Sequence, residues 1–128
     1  MARLTAAQIK QYAYTAGFRG ADLDTAVAVA LAESGGNTEA YNPELASSYS
    51  RPGAGSRGLW QIFGAVHPKY NSSAALDPSV NARGAFEIYQ AAGNKFTPWS
   101  AYKGGQYKKY LSSVPGGVPS GEAIPSSR

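Results

Sequence analysis

Three stretches of this chain repeat their apolar residues at helical spacing, and each runs into a glycine. Ile9, Tyr12 and Ala13 share one face of a helix predicted over residues 5–16, with Thr5 as N-cap and Gly17 as stop. Leu23, Ala26, Val27, Ala30 and Leu31 fall at i, i+3, i+4, i+7 and i+8, predicting a second helix over 22–34. Asp22 or Asp24 is the expected cap there, and Gly35 and Gly36 end it. Asp77-Pro78 opens the third: Asp77 as N-cap, Pro78 at the first helical position, a buried stripe of Ala85, Ile88, Tyr89 and Ala92, and Gly93 as close. A last short helix is expected over 106–111. The chain is therefore mostly α.

Between the helices the pattern changes. Residues 37–57 are rich in Asn, Ser, Pro and Gly and read as a long loop. A loop of that length in a compact domain is usually functional or mobile. "RGLWQIF", residues 57–63, is a short apolar run that fits a strand or one helical turn, and periodicity does not choose. From residue 112 onward, "SSVPGGVPSGEAIPSSR" is almost free of large apolar side chains and reads as a linker. The expected organisation is one domain over 1–111 and a tail over 112–128. Such a tail implies either a neighbouring domain or simple fraying.

Several classes of chemistry are excluded or weakened. The chain has no cysteine, so no disulfide framework or thiolate metal site is available. Its single histidine, His67, rules out sites needing two imidazoles, and no GxSxG-type elbow accompanies it for a triad. No metal or other cofactor is expected. The net charge of +4 favours a polyanionic partner without choosing one. Lys103, Lys108 and Lys109 form a small basic patch, which is a solvated face or an attraction to anionic wall polymer; no nucleic-acid motif accompanies it. No run of 18 apolar residues is present, so no membrane insertion is expected. The start lacks the long apolar stretch of a secretory signal. The protein stays inside, leaves by a route needing no signal, or is trimmed.

Glu33 is the acid that stands out. It follows Ala26, Val29 and Ala30 by seven, four and three residues, which puts it on a face of small apolar side chains. A carboxyl held there loses water, and desolvation favours its neutral form. The helix C-terminus pushes the same way. A carboxylic acid still protonated near neutral pH can donate to a leaving oxygen. From spacing alone a second reading stays open, that of a solvated glutamate in the last turn.

"AESGGN…YNP", "GSRGLWQIF", "LDPSVNARGAFEIY" and "PWSAYKGGQY" stand in order along residues 20–111. Together they resemble the lysozyme-like soluble lytic transglycosylase family, most closely the versions carried by actinobacterial phages in tail proteins or lysins. The resemblance implies a helical lysozyme-like fold of the goose-type kind, with a long loop or small β element beside the active-site groove. It implies Glu33 as the single catalytic acid/base. It places Gly58, Leu59, Trp60, Gln61 and Phe63 along the sugar groove, Tyr102 near the acid, and Asn81 in a looser match. A serine beside the groove is implied, and Ser47, Ser48, Ser50 and Ser56 are all candidates, Ser56 being the one nearest the groove segment. Trp60, where the family more often has methionine, and Tyr102 are the aromatics expected to stack on sugar; Trp99 is expected in the core.

The resemblance further implies the substrate, the peptidoglycan glycan strand, and the reaction, cleavage of its MurNAc–GlcNAc bond to 1,6-anhydro products without water. It sets the action at the bacterial wall, from a virion tail or after release from a host cytoplasm. Two alternatives remain. One is a muramidase that hydrolyses, pairing Glu33 with a loop carboxylate, Glu39 or Glu44; Asp22, Asp24 and Asp77 are assigned to caps, Glu87 to a polar helix face and Glu122 to the tail. The other is a non-catalytic wall-binding tail module.

Overall fold

The computed structural model describes residues 3–43, 55–64, 66–117 and 119. Four α-helices dominate: α1 (Ala6–Ala16), α2 (Gly20–Ser34), α3 (Pro78–Ala91) and the short α4 (Ser100–Lys103). Short 3-10 helices cover Pro68–Tyr70, Ser73–Leu76 and Gln106–Ser113. Three two-residue strands, β1 (Tyr41–Asn42), β2 (Ser56–Arg57) and β3 (Ile62–Phe63), form an antiparallel sheet in the order β1-β2-β3. Arg57 lies opposite both Tyr41 and Ile62. The apolar run 57–63 is thus neither one strand nor one turn of helix. Its two ends pair with each other around a tight turn.

Local chemistry explains the helix ends. Thr5 and Gln8 form a reciprocal capping box at the start of α1. Asp77 accepts from the N–H groups of Ser79 and Val80, and Pro78 needs no partner at the first position of α3. Gly35 closes α2 in the left-handed conformation, its N–H donating to Leu31 O at 2.8 Å.

α2 is the central helix. Ala26, Val27, Ala28, Val29 and Ala30 are all completely buried, so the helix is apolar on every side over this stretch. α1, α4 and the 3-10 helix Gln106–Ser113 pack against it, and α3 packs on α1. An aromatic cluster fills the gap: Phe18, fully buried just after α1, meets Trp60, Phe86, Tyr89 and Phe96 with ring centroids 4.9–6.4 Å apart. Burying such a ring is worth about 1.5–3 kcal/mol.

The structure departs from the sequence reading at four places. α2 begins two residues early, with Arg19 as an N-cap that makes no side-chain cap bond. Neither Asp22 nor Asp24 caps it: Tyr89 on α3 donates its hydroxyl to Asp22, and Asp24 pairs with Lys10 at 2.9 Å. The stripe of α3 is Asn81, Ala82, Gly84, Ala85 and Tyr89, with Ile88 and Ala92 only half-buried and the helix ending at Ala91. The last helix is 3-10 in type and runs to Ser113. Beyond it Val114 packs against the core, and Lys10, 4% exposed, donates to Pro115 O at 2.5 Å.

Candidate active site

The end of α2 carries the acid. Ser34, its neighbour, turns back to donate its hydroxyl to Ala30 O at 2.9 Å and accepts from Gly36 N–H, tying off the helix. Glu33 is half-buried, and its Oε2 accepts the backbone N–H of Ala101 in the first turn of α4 at 3.2 Å. Burial raises its pKa above the ordinary carboxylate value; the Ala101 N–H, which favours the anion, lowers it by less. The side chain therefore faces protein, and the residue that holds it is the neighbour of Tyr102.

Trp60 organises these surroundings from inside. Its indole N–H donates to Ala26 O on α2 at 2.9 Å. Its carbonyl accepts the indole N–H of Trp99, the N-cap residue of α4, at 2.8 Å. Its own N–H donates to Asn81 Oδ1 at 2.8 Å. One buried residue thus links the helix bearing Glu33, the helix bearing Ala101 and Tyr102, and the turn bearing Gln61. Trp60 is 0% exposed, so no ring face is open to a sugar, and the stacking role expected of it is corrected. The reason is physical: a fully buried indole that meets its hydrogen-bond need on α2 fixes the core.

Asn81 and Leu59 are likewise 0% exposed, and Ser56 is 6% exposed in β2. Beyond Trp60 N–H, Asn81 serves the chain through Nδ2, which donates to Arg57 O at 3.0 Å and Ala75 O at 2.9 Å. Gly58, at φ +80°, presses against that same amide, and a Cβ there would overlap it. Leu59, Asn81, Ser56 and Gly58 are thus buried and build the floor of the turn. Three expected site residues keep partial exposure, namely Gln61, Phe63 and Tyr102. Gln61 sits at φ +47°, an uncommon backbone conformation for a non-glycine residue. Its Nε2 donates to Ala40 O at 3.1 Å and Gly58 O at 3.0 Å, fastening the turn to β1. Tyr102 stacks on Tyr107 at 4.9 Å and tilts against Phe96 at 5.7 Å. Trp99 is in the core, as the sequence reading favours. Ser47, Ser48, Ser50, Glu44 and Glu122 lie outside the described residues.

Most other described acids have structural employment. Asp22, Asp24 and Asp77 are engaged as above, and Glu87 accepts from Tyr70. Glu39 is exposed, in the segment joining α2 to β1. Lys103, Lys108 and Lys109 are exposed on α4 and the following 3-10 helix. Burial lowers the pKa of His67. Among the described residues no group of three or more His, Asp or Glu side chains could hold a metal ion, and no helix is long and apolar enough to cross a membrane.

No curated protein and no solved structure matches the chain significantly. A family model described as a lysozyme-like domain matches residues 10–101. That span takes in α1 from its second turn, all of α2 with Glu33, the small sheet, α3, and the start of α4 as far as Ala101. It supports peptidoglycan-degrading activity in general. The sequence signature, the mostly helical architecture with its small sheet, and this match converge: the chain belongs to the lysozyme-like domain family.

Proposed function

We propose that this domain cleaves the MurNAc–GlcNAc bond of peptidoglycan without water, with Glu33 acting first as acid and then as base. Glu33 protonates the glycosidic oxygen. The substrate's N-acetyl group steadies the oxocarbenium-like centre. Glu33, now ionised, removes the proton from the sugar's own 6-hydroxyl, which closes a 1,6-anhydro ring. The observation that carries the reading is the half-buried Glu33 carboxyl, its pKa raised by desolvation and its orientation held by Ala101 N–H. A group of raised pKa is suited to both steps, because it is neither too acidic to hold a proton nor too weak to take one back. Gln61, Phe63 and Tyr102 are the residues we assign to the groove. No cofactor takes part, and we place the activity in a phage tail protein or lysin on the strength of the sequence motifs.

Hydrolysis is the second reading, with Glu39 as the described carboxylate in the loop region. Mass analysis of fragments from digested peptidoglycan separates the two. Anhydro-muropeptides uphold transglycosylation, products one water heavier mean a muramidase, and no release by the wild type means a binding module.

A further inference from the structure

A cavity of about 540 Å³ lies between the Pro68–Tyr70 turn and the last turns of α3. Its wall is largely apolar. Val66, which is 54% exposed, lines it with Ile88 and Pro98. Its mouth carries both charges. Tyr70 donates its hydroxyl to Glu87 at 2.6 Å, which holds that carboxyl below its ordinary range and keeps it ionised. Lys69 reaches the same carboxylate only at 3.4 Å, with 71% of its side chain exposed. Such a contact is weak and readily exchanged. None of these groups has a part in the chemistry assigned to Glu33.

Chain continuity bounds how far one wall residue lies from the residue that anchors the acid. Pro98 in its wall is three residues from Ala101, whose N–H holds Glu33, so the two α-carbons are at most about 11 Å apart. Val66 stands three residues after Phe63, the last groove position.

We propose that this cavity takes the peptide stem of the strand being cut, a short peptide of alanine methyls, free carboxylates and one side-chain amine. The proposal rests on the reading of peptidoglycan as substrate. The methyl groups pack on Val66, Ile88 and Pro98. The amine takes Glu87 in place of Lys69, and Lys69 turns to a stem carboxylate. A four-residue stem extends roughly 14 Å, more than the greatest separation of the Pro98 and Ala101 α-carbons.

The test is equilibrium binding of N-acetylated L-Ala-γ-D-Glu-L-Lys-D-Ala to the whole chain, followed by NMR of the Val66 and Ile88 methyl groups. Saturable shifts at both methyls are expected. Glu87→Gln, or acetylation of the peptide's lysine amine, weakens binding about tenfold. Ala91→Trp, which fills the cavity from an exposed helix position, abolishes it. Glu33→Gln binds the peptide as the wild type does, so the stem site is tested apart from catalysis. Absence of shifts, shifts confined to the Glu33 surroundings, or equal affinity in Ala91→Trp overturns the proposal. So do shifts that arise from raising protein concentration alone, which would assign the cavity to a second copy.

Discussion

Glu33 Oε2 and the N–H of Ala101 meet at 3.2 Å across 68 positions of sequence. The bond ties the end of the central helix to a four-residue helix that brings Tyr102 along with it. It also opposes the desolvation that raises the acid's pKa, without cancelling it. The acid is thereby oriented, and its pKa stays raised.

Glu33→Gln should remove nearly all glycan cleavage, a loss of about 10²–10⁴-fold in kcat, while leaving circular dichroism unchanged. Product release on purified peptidoglycan measures it. A fully active variant would refute the assignment.

The raised pKa of Glu33 gives a signed prediction for pH. In the interval between the ordinary value of 4.5 and the raised one, the folded protein binds more protons than the unfolded chain, so stability falls as pH rises through it. Glu33→Gln should therefore melt at a higher temperature than wild type at pH 7. The advantage should vanish below pH 4. Wild-type kcat/KM should decline as pH rises through the same group, since the proton donor is being lost. An equal Tm difference at both pH values would sink the linkage.

Trp60→Phe keeps an aromatic ring but removes the indole N–H that Ala26 O accepts besides its helical partner, and leaves a gap in the core. A cost of about 1–3 kcal/mol follows, measurable by urea unfolding. Binding of a chitooligosaccharide to the variant, measured below its unfolding transition, should match wild type. Lost sugar affinity at unchanged stability would restore the stacking role withdrawn above.

Tyr102→Phe retains the ring contacts with Phe96 and Tyr107. Stability should stay within about 0.5 kcal/mol of wild type. If the hydroxyl serves the acid's surroundings, kcat falls by about 10²-fold with KM little changed. An unaltered kcat would remove Tyr102 from the site.

Ending the chain after Ser113 removes Val114 from the core and deprives Lys10 of the Pro115 carbonyl. The truncated protein should lose about 1–2 kcal/mol in a urea titration. No loss would mean that the folded unit stops with the 3-10 helix.

What the sequence disclosed and what it hid divide along one line. Thr5, Asp77-Pro78 and Gly35 act on neighbours within a few residues, and their roles were readable. The small apolar face beneath Glu33 was readable for the same reason, since helical period alone sets it. Trp60 was misread because its partners, Ala26 and Asn81, are 34 and 21 positions away, and an aromatic residue in a groove motif has the same composition whether buried or open. Lys10 offered no signal of burial, because its ion pair with Asp24 and its bond to Pro115 exist only after α2 and the C-terminal segment have docked. Asp22 and Asp24 resembled caps locally, but Tyr89 and Lys10 recruited them from other elements.

Ala7 near the start of α1 and Pro119, the last described residue, line one small recess, together with Lys10 and Pro115. The beginning and the end of this fold thus come together on a single side. Linking these two segments with a short peptide and reopening the chain at an exposed turn, such as Gly93-Asn94, should give a circularly permuted protein that folds.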